Sequence, residues 1–267
     1  MDTNIKGSFL NTATTRRNFL NQGVQAALTF GLAQTLFAHK LFAEPTSRSF
    51  ELWLKDLLLA GENLRIGSAS TEHWQAQVDQ LYGAVSLNDL RAHIDFDKLT
   101  ENFDFSANGE KFIDIDPLSG KPFPSPIPEQ GRVITKLAGV RNGLNVPPHG
   151  HENTVSAFLV LHGEFHVRQL DKLQTKQNSL LFKKSLDEIQ SPGFWSCTSE
   201  SARNLHWLTA TASDSFFFST KINNYIPDAR VKGRVNVDLR KPIDHGSGIK
   251  EARIISDREA HDIYNQI

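Results

Sequence analysis

The stretch VPPHGHENTVSAFLVLHG, residues 146–163, decides how this chain is to be interpreted. Two histidines stand one residue apart behind two prolines, and an apolar run then leads to a glycine. Side chains two positions apart in a β-strand point to the same face, with Cβ atoms about 6–7 Å apart. His149 and His151 could therefore bind one cation, at an imidazole–metal distance of about 2.1 Å. In an exposed loop the same pair would be an accident of composition, so the surrounding sequence has to distinguish the two.

Short β-like runs lie around this stretch and predict a mainly β fold. Turn signals separate several of them at close spacing, which favours a barrel or sandwich over βαβ units. Before them, residues 117–131 hold five of the eleven prolines and cannot form a regular element. The β-like runs are residues 132–139, 156–162, 164–170, 203–210, 214–222 and 230–238.

Helical patterns flank the β-rich region on both sides. Apolar residues recur at helical spacing in three segments, 47–62, 73–83 and 86–94. Near the end of the chain, Ser256 is followed three residues later by Glu259, the pattern of a capping box. The predicted organisation is a helical segment over 44–105, a β-barrel over 106–240 and a C-terminal tail helix within 241–267.

Composition favours an enzyme or a binder of small ligands. The 267 residues are 39% hydrophobic and 22% charged, with a net charge of −1. No cluster of Lys and Arg marks a nucleic-acid surface, so no nucleic-acid partner is expected. The single cysteine, Cys197, excludes an intramolecular disulfide and any Cys-based zinc finger.

The N-terminus resembles a twin-arginine export signal, which we assign to residues 1–43. Arg16 and Arg17 precede Asn-Phe-Leu, a moderately apolar stretch follows over 24–38, and Ala43 is a small residue suited to cleavage. The stretch is too short and too polar for a transmembrane helix. We therefore expect the twin-arginine export machinery as a partner, a periplasmic location and no transmembrane domain in the mature protein. The alternative is an amphipathic helix with a chance arginine pair.

The histidine stretch resembles the first metal-binding motif of the cupin superfamily, whose fold is a double-stranded β-helix barrel. Gly143, five residues, His149-X-His151 and an apolar strand ending at Gly163 match that motif. The family places a Glu ligand five residues after the second histidine, where this chain has Ser156. The second cupin motif supplies one more histidine, and RNLHWLTA, residues 203–210, offers His206. The resemblance therefore implies a metal site of three histidines, His149, His151 and His206.

Within the cupins, the chain resembles the three-histidine thiol dioxygenases, the cysteamine dioxygenases and plant cysteine oxidases. The third histidine of that family lies in an Asn-X-His-X-X-Thr-Ala context, matched by NLHWLTA, residues 204–210. A tyrosine follows the next strand in the family, as Tyr225 does here, and is a candidate catalytic residue. The family has Asp between its paired histidines where this chain has Gly150. Arg168 could bind a substrate carboxylate, or it could lie on a solvated strand face.

Three neutral histidines on one face of a metal leave open positions for substrate and dioxygen, as in non-haem Fe(II) oxygenases. Replacing the usual carboxylate by a histidine makes the site more positive and favours an anionic ligand such as a thiolate. The sequence thus predicts an exported Fe(II) enzyme that oxidises a small thiol, such as cysteine or cysteamine, to its sulfinate with O2. One alternative is a cupin isomerase, lyase or ligand-binding module that holds Zn(II), Mn(II) or Ni(II). Another is a barrel that binds no metal.

Overall fold

The computed structural model describes residues 49–106, 109–123, 133–227, 229 and 233–265. The export signal predicted over 1–43 lies outside the described residues, so export stays a prediction. None of the described helices is both long enough and apolar enough to cross a membrane.

Within the described residues, four helices precede the strands. The first three each begin after a serine whose Oγ accepts a hydrogen bond from a backbone N–H three residues later, which offsets one of the unpaired donors at a helix start. These three helices confirm the helical patterns predicted from the sequence; the short fourth helix was not predicted. The helices are α1 (Phe50–Arg65), α2 (Thr71–Ala84), α3 (Leu87–His93) and α4 (Phe96–Thr100).

Eleven strands form the rest of the described fold, together with one C-terminal helix. They are β1 (Glu110–Ile115), β2 (Val133–Val140), β3 (Asn145–His151), β4 (Thr154–His162), β5 (Phe165–Thr175), β6 (Ser179–Gln190), β7 (Trp195–Thr198), β8 (Leu205–Ala210), β9 (Ser215–Asn223), β10 (Arg234–Gly246) and β11 (Ile249–Ile255). Helix α5 (Asp257–Tyr264) begins after Ser256, whose Oγ accepts from the N–H of Glu259, as the capping box predicted.

The strand order is that of a double-stranded β-helix. Strands β2 to β9 pass back and forth between two sheets, in the orders β2-β9-β4-β7 and β3-β8-β5-β6, and β1 adds to β2. This two-sheet arrangement of eight strands is the jelly roll found in cupins. The fold class predicted from the sequence, a mainly β cupin-type barrel with helices before and after it, is confirmed.

The barrel strands continue beyond residue 240, which corrects the predicted boundary. Strands β10 and β11 pair with β3 and β6 and close the second sheet into a ring. The segment 241–267 therefore contributes strand as well as helix, and the helix is confined to Asp257–Tyr264. Only Ala252 and Ile255 are buried in β11, so its sequence lacks the apolar alternation that predicts a strand.

Three apolar clusters hold these layers together. One lies between helices α1–α4 and the outer face of the first sheet, where Trp53 and Trp74 are almost fully buried. A second occupies part of the space between the two sheets, around Phe165 and Phe217. A third occupies the ring closed by β10 and β11, around Leu205 and Val237. The helices thus cover the outside of the barrel and leave the space between the sheets for a site.

Candidate metal centre

The proline pair before the histidines determines which way they face. Val146 lines the space between the sheets, and the pairing of β3 with β8 shifts register between Val146 and His149. Pro147 and Pro148 lie within that shift, and proline has no N–H to donate to a strand ladder. The shift changes the inward-facing positions from even to odd numbers. As a result Val146, His149 and His151 line the same cavity.

The structure brings the three predicted histidines together. His206 on β8 is the direct cross-strand partner of His149. The ring centroids are 4.3 Å apart for His149 and His206, 4.8 Å for His149 and His151, and 5.3 Å for His151 and His206. One ring nitrogen from each histidine lies within 4.8 Å of the other two. A metal ion bound at about 2.1 Å from each nitrogen would draw the three rings slightly closer.

Asn204 fixes the backbone of the second histidine, and Gly150 makes room for it. The Asn204 Nδ2 donates to the carbonyl oxygen of His151 at 2.9 Å, and its Oδ1 accepts from the His151 N–H at 3.3 Å. A Cβ at Gly150 would lie only 2.6 Å from that Oδ1. Any side chain at position 150 would therefore displace the Asn204 amide, which holds β3 against β8. This steric limit explains why the chain has Gly150 where the thiol dioxygenases have Asp.

All three imidazoles are buried and uncharged at neutral pH. Burial lowers the pKa of His206 to about 3, with further lowering by Arg234 and Lys221. Burial also lowers the pKa values of His149 and His151 well below the ordinary range, and neighbouring cations add to the effect. A lowered pKa means that the neutral form persists down to acidic pH. Neutral imidazole is the form that binds a metal.

The hydrogen bonds of the ring nitrogens fit a metal ion. The Nδ1–H of His149 donates to the carbonyl oxygen of Pro147 at 2.8 Å, which leaves its Nε2 with a free lone pair for a metal. The Nδ1 of His151 is buried and has no hydrogen-bond partner among the described residues. A buried polar atom without a partner costs about 1–3 kcal/mol, so a cluster of this kind needs a ligand to supply interactions. The three histidines therefore fit a metal, as the sequence predicted.

The histidines line a cavity of about 190 Å³ between the two sheets. Ser156 on β4 also lines it, and its Oγ lies 2.8 Å from the Oγ1 of Thr198. The position that holds a Glu ligand in the cupin motif thus faces the same cavity here, without a carboxylate. The lining residues are Phe112, Lys136, Val146, His149, His151, Ser156, Ala157, Phe158, His206, Leu208, Phe217, Ser219, Lys221 and Arg234.

Three cations in this lining were not identified from the sequence. Lys136 forms an ion pair with Asp114 at 3.0 Å, Lys221 lies beside Ser156 as its cross-strand partner on β9, and Arg234 is the cross-strand partner of His151 on β10. The sequence does contain a signal that places Lys221 on the inner face of its strand. It lies four positions after Phe217, so strand alternation puts both on the inner face. The same reasoning could not place Arg234, because β10 joins the second sheet only through a long-range pairing.

The structure does not bring Tyr225 or Arg168 to the histidines. Tyr225 follows β9 and lines a separate surface depression beside the α1–α2 connection, with Leu64 and Pro227. Arg168 stacks on Trp207, with its guanidinium carbon 3.8 Å from the ring centroid. Neither residue is among the described residues that line the histidine cavity. A catalytic role for Tyr225 therefore has no geometric support.

The variant Tyr225→Phe is expected to keep kcat/KM within about twofold of the wild-type value. The phenol does not line the cavity in which the chemistry would occur, so its hydroxyl touches no reacting atom. Steady-state kinetics of the two proteins on the same substrate test this. A loss of more than about 10-fold in kcat would approach the effect of removing a general acid or base. Such a loss would show that Tyr225 takes part in the reaction.

A buried acid lies behind Arg234. Glu110 on β1 is 7% exposed, and its Oε1 lies 3.3 Å from the Nε2 of His261. Burial raises the pKa of Glu110 to about 7, an effect that Arg234 opposes and Asp257 supports. The carboxyl group is therefore neutral in the folded protein over a range in which an exposed glutamate is ionised.

The free energy of unfolding is expected to fall as pH rises from about 4.5 to about 7, by up to about 3 kcal/mol from Glu110 alone. Stability falls with rising pH because the folded protein binds the Glu110 proton more tightly than the unfolded chain does between these two pH values. In Glu110→Gln this part of the slope should disappear, so the variant is more stable than the wild type at pH 8. Urea unfolding of both proteins across the range provides the measurement, and parallel pH profiles would contradict the assignment.

Comparison with known proteins gives only distant likenesses. No protein-family model matches the sequence, and no curated protein is significantly similar to it. The solved structures similar to this chain include KdgF from Halomonas sp., at 16% identity over 46% of this chain and 87% of that chain, with a TM-score of 0.31. A recombinant oxalate oxidase in complex with glycolate is 15% identical over 46% of this chain and 54% of its own, with a TM-score of 0.30. Procruciferin, an 11S globulin from Brassica napus, is 15% identical over 45% of this chain and 27% of its own, with a TM-score of 0.32.

Proposed function

We propose that this protein is an Fe(II)-dependent thiol dioxygenase. The observation that carries the proposal is the ligand set: three buried, neutral histidines line one cavity, and Ser156 stands where the cupin motif has a carboxylate ligand. Three neutral donors leave the full positive charge of a divalent ion for an anionic substrate. Thiolate is such a ligand, and metal binding lowers the pKa of a thiol.

The overall reaction is R–S⁻ + O2 → R–SO2⁻. Two S–O bonds form and the O–O bond breaks; sulfur loses four electrons, dioxygen gains four, and both oxygen atoms enter the product. Iron, when bound, would supply the site for thiolate and dioxygen together and the redox chemistry that joins them.

Residues of this chain would hold the metal ion and enclose the reacting groups. His149, His151 and His206 would hold the metal, and the Pro147 carbonyl and Asn204 amide keep the first two in place. Phe158 and Phe217 form an apolar wall of the cavity. Exclusion of water by such a wall protects a reactive sulfur species from side reactions.

We further propose that the protein acts in the periplasm after export by the twin-arginine route, as its N-terminus suggests. That route carries folded proteins, so the metal could be bound before export. The arginine pair is the support for this step, and replacement of Arg16 and Arg17 by lysine should leave the protein in the cytoplasmic fraction.

One feature supports a second function. Lys136, Lys221 and Arg234 give the cavity several charged groups, as a metal-dependent isomerase, lyase or binding module for an organic acid would need. In that case the same histidines would hold Zn(II), Mn(II) or Ni(II) as a Lewis acid, and no oxygen would be consumed.

The test is metal analysis of the purified protein followed by oxygen-electrode measurements with cysteine, cysteamine, 3-mercaptopropionate and peptides that begin with cysteine. Bound iron together with thiol-dependent oxygen uptake would support the dioxygenase. Zinc without oxygen uptake from any of these thiols, also after reconstitution with Fe(II), would contradict it and favour the second function.

A further inference from the structure

We propose that the histidine cavity selects thiols that also carry a carboxylate, and that Arg234 binds this carboxylate with support from the positive charge of Lys221. The inference rests on the proposed thiol chemistry, and it names the class of substrate that the site would accept. It excludes aminothiols such as cysteamine as preferred substrates.

Arg234 lines the cavity, and one of its donors has no hydrogen-bond partner among the described residues. Its Nε donates to the Oδ1 of Asn236 at 3.0 Å and lies 3.8 Å from the Oδ1 of Asp257. Its Nη2 is buried and has no hydrogen-bond partner among the described residues. Guanidinium is the side-chain group that best matches a carboxylate, and a buried donor without a partner is costly. A substrate carboxylate in the cavity would supply the missing acceptor once the guanidinium turns toward it.

The position of Arg234 relates this donor to the metal ligands. Arg234 is directly opposite His151 in the pairing of β10 with β3, and both residues line the cavity. A ligand of a few heavy atoms can thus contact the histidine site with one end and Arg234 with the other.

The charge of the lining favours an anion over a cation. Three cationic side chains line the cavity, and no Asp or Glu is among the described lining residues. The acidic neighbours of Lys136 and Arg234, Asp114 and Asp257, lie outside the described lining, so the ionisable side chains that face the cavity there are cations and neutral histidines. An ammonium group placed about 4 Å from either cation would be repelled by about 1–4 kcal/mol at the dielectric of water or a protein surface.

The size of the cavity favours a small molecule. Its volume of about 190 Å³ is below the roughly 300–1,000 Å³ of pockets that hold drug-sized ligands. A short mercapto-carboxylate such as 3-mercaptopropionate matches both the size and the two anchoring points. Arg168, which the sequence offered for this task, is occupied instead by Trp207 and by the Oγ1 of Thr209, to which its Nη1 donates at 3.1 Å.

Binding to the zinc-substituted protein tests the inference without redox chemistry. Calorimetry would compare three thiols with different second groups: 3-mercaptopropionate (anionic), 2-mercaptoethanol (neutral) and cysteamine (cationic). We expect 3-mercaptopropionate to bind at least about 10-fold more tightly than 2-mercaptoethanol, equivalent to about 1.4 kcal/mol, and cysteamine to bind most weakly. Equal affinity for all three thiols in the wild-type protein would overturn the inference, with no variant needed.

Variants then assign the preference to Arg234. In Arg234→Met the advantage of 3-mercaptopropionate over 2-mercaptoethanol should vanish while the affinity for 2-mercaptoethanol stays the same. Arg234→Lys should restore part of the advantage, and Lys221→Met should reduce it. Lys184→Met, an exposed cation on β6, is the matched control and should change nothing. Equal weakening of both thiols in Arg234→Met, with zinc content and thermal midpoint unchanged, would contradict a carboxylate site.

The two proposals fail in distinguishable ways. If binding shows the charge preference but the Fe(II) protein takes up no oxygen with any thiol, the dioxygenase proposal is wrong and the proposed carboxylate site stands. Oxygen uptake with equal kcat/KM for 3-mercaptopropionate and cysteamine would overturn the anion site and leave the dioxygenase. For the anion site, Arg234→Met should raise KM for 3-mercaptopropionate by about 10-fold or more while kcat changes less.

Discussion

Replacing His206 with alanine is expected to remove bound metal and all measurable thiol-dependent oxygen uptake while the barrel stays folded. The loss of metal affinity should exceed the roughly 10–100-fold loss that follows when only an outer hydrogen-bond partner of a ligand is removed. Two histidines would remain on β3, too few to hold a divalent ion firmly without an acidic ligand. Leu205 and Leu208 carry the packing of β8, so the substitution leaves the apolar clusters intact.

Metal content and circular dichroism of the same preparation measure both parts of this prediction. His162→Ala is the matched control, because His162 is exposed at the end of β4 and outside the described cavity lining. The control should keep wild-type metal content and oxygen uptake. A folded His206→Ala protein that retains thiol-dependent oxygen uptake would refute the three-histidine site.

Replacing Ser156 with glutamate is expected to tighten metal binding and to reduce thiol oxidation by about 100-fold or more. Ser156 lines the histidine cavity, so a glutamate there can reach the position that the cupin motif gives to its carboxylate ligand. A fourth, anionic ligand lowers the charge of the site and occupies a position that the thiolate would need. The cavity of about 190 Å³ has room for the longer side chain.

Ser156→Gln provides the control of equal size without the charge. Both variants lose the contact with Thr198, so any difference between them reports the carboxylate alone. Competition with a chelator measures metal affinity, which should be higher in Ser156→Glu than in Ser156→Gln. Oxygen uptake with the best thiol should be lower in Ser156→Glu. Equal affinity and equal activity in the two would show that position 156 does not reach the metal.

Much of this fold could be predicted because the relevant signals are local. The serine caps and helical spacing of α1 to α3 depend on neighbouring residues, as does the capping box of α5. The pair His149 and His151 could be predicted for the same reason, since residues two apart on a strand share a face. The contact with His206 required more, because it crosses 55 positions of sequence. Only the resemblance to a family motif predicts it.

Other parts of the site depend on tertiary structure that local patterns do not contain. Strand β11 buries few apolar residues, so the closure of the ring by β10 and β11 was missed, and with it the place of Arg234 opposite His151. Tyr225 follows a strand, as the resemblance predicts, but the chain beyond β9 carries it to another surface. The cations that give the cavity its charge come from three strands that meet only in the folded barrel.

The most direct test of the central claim is a turnover under 18O2 with the Fe(II) protein and its best thiol, followed by mass spectrometry of the product. We expect a sulfinate in which both oxygen atoms carry the label, in a 1:1 ratio to the oxygen consumed. A disulfide or unlabelled product, or turnover of thiol without oxygen uptake, would contradict it.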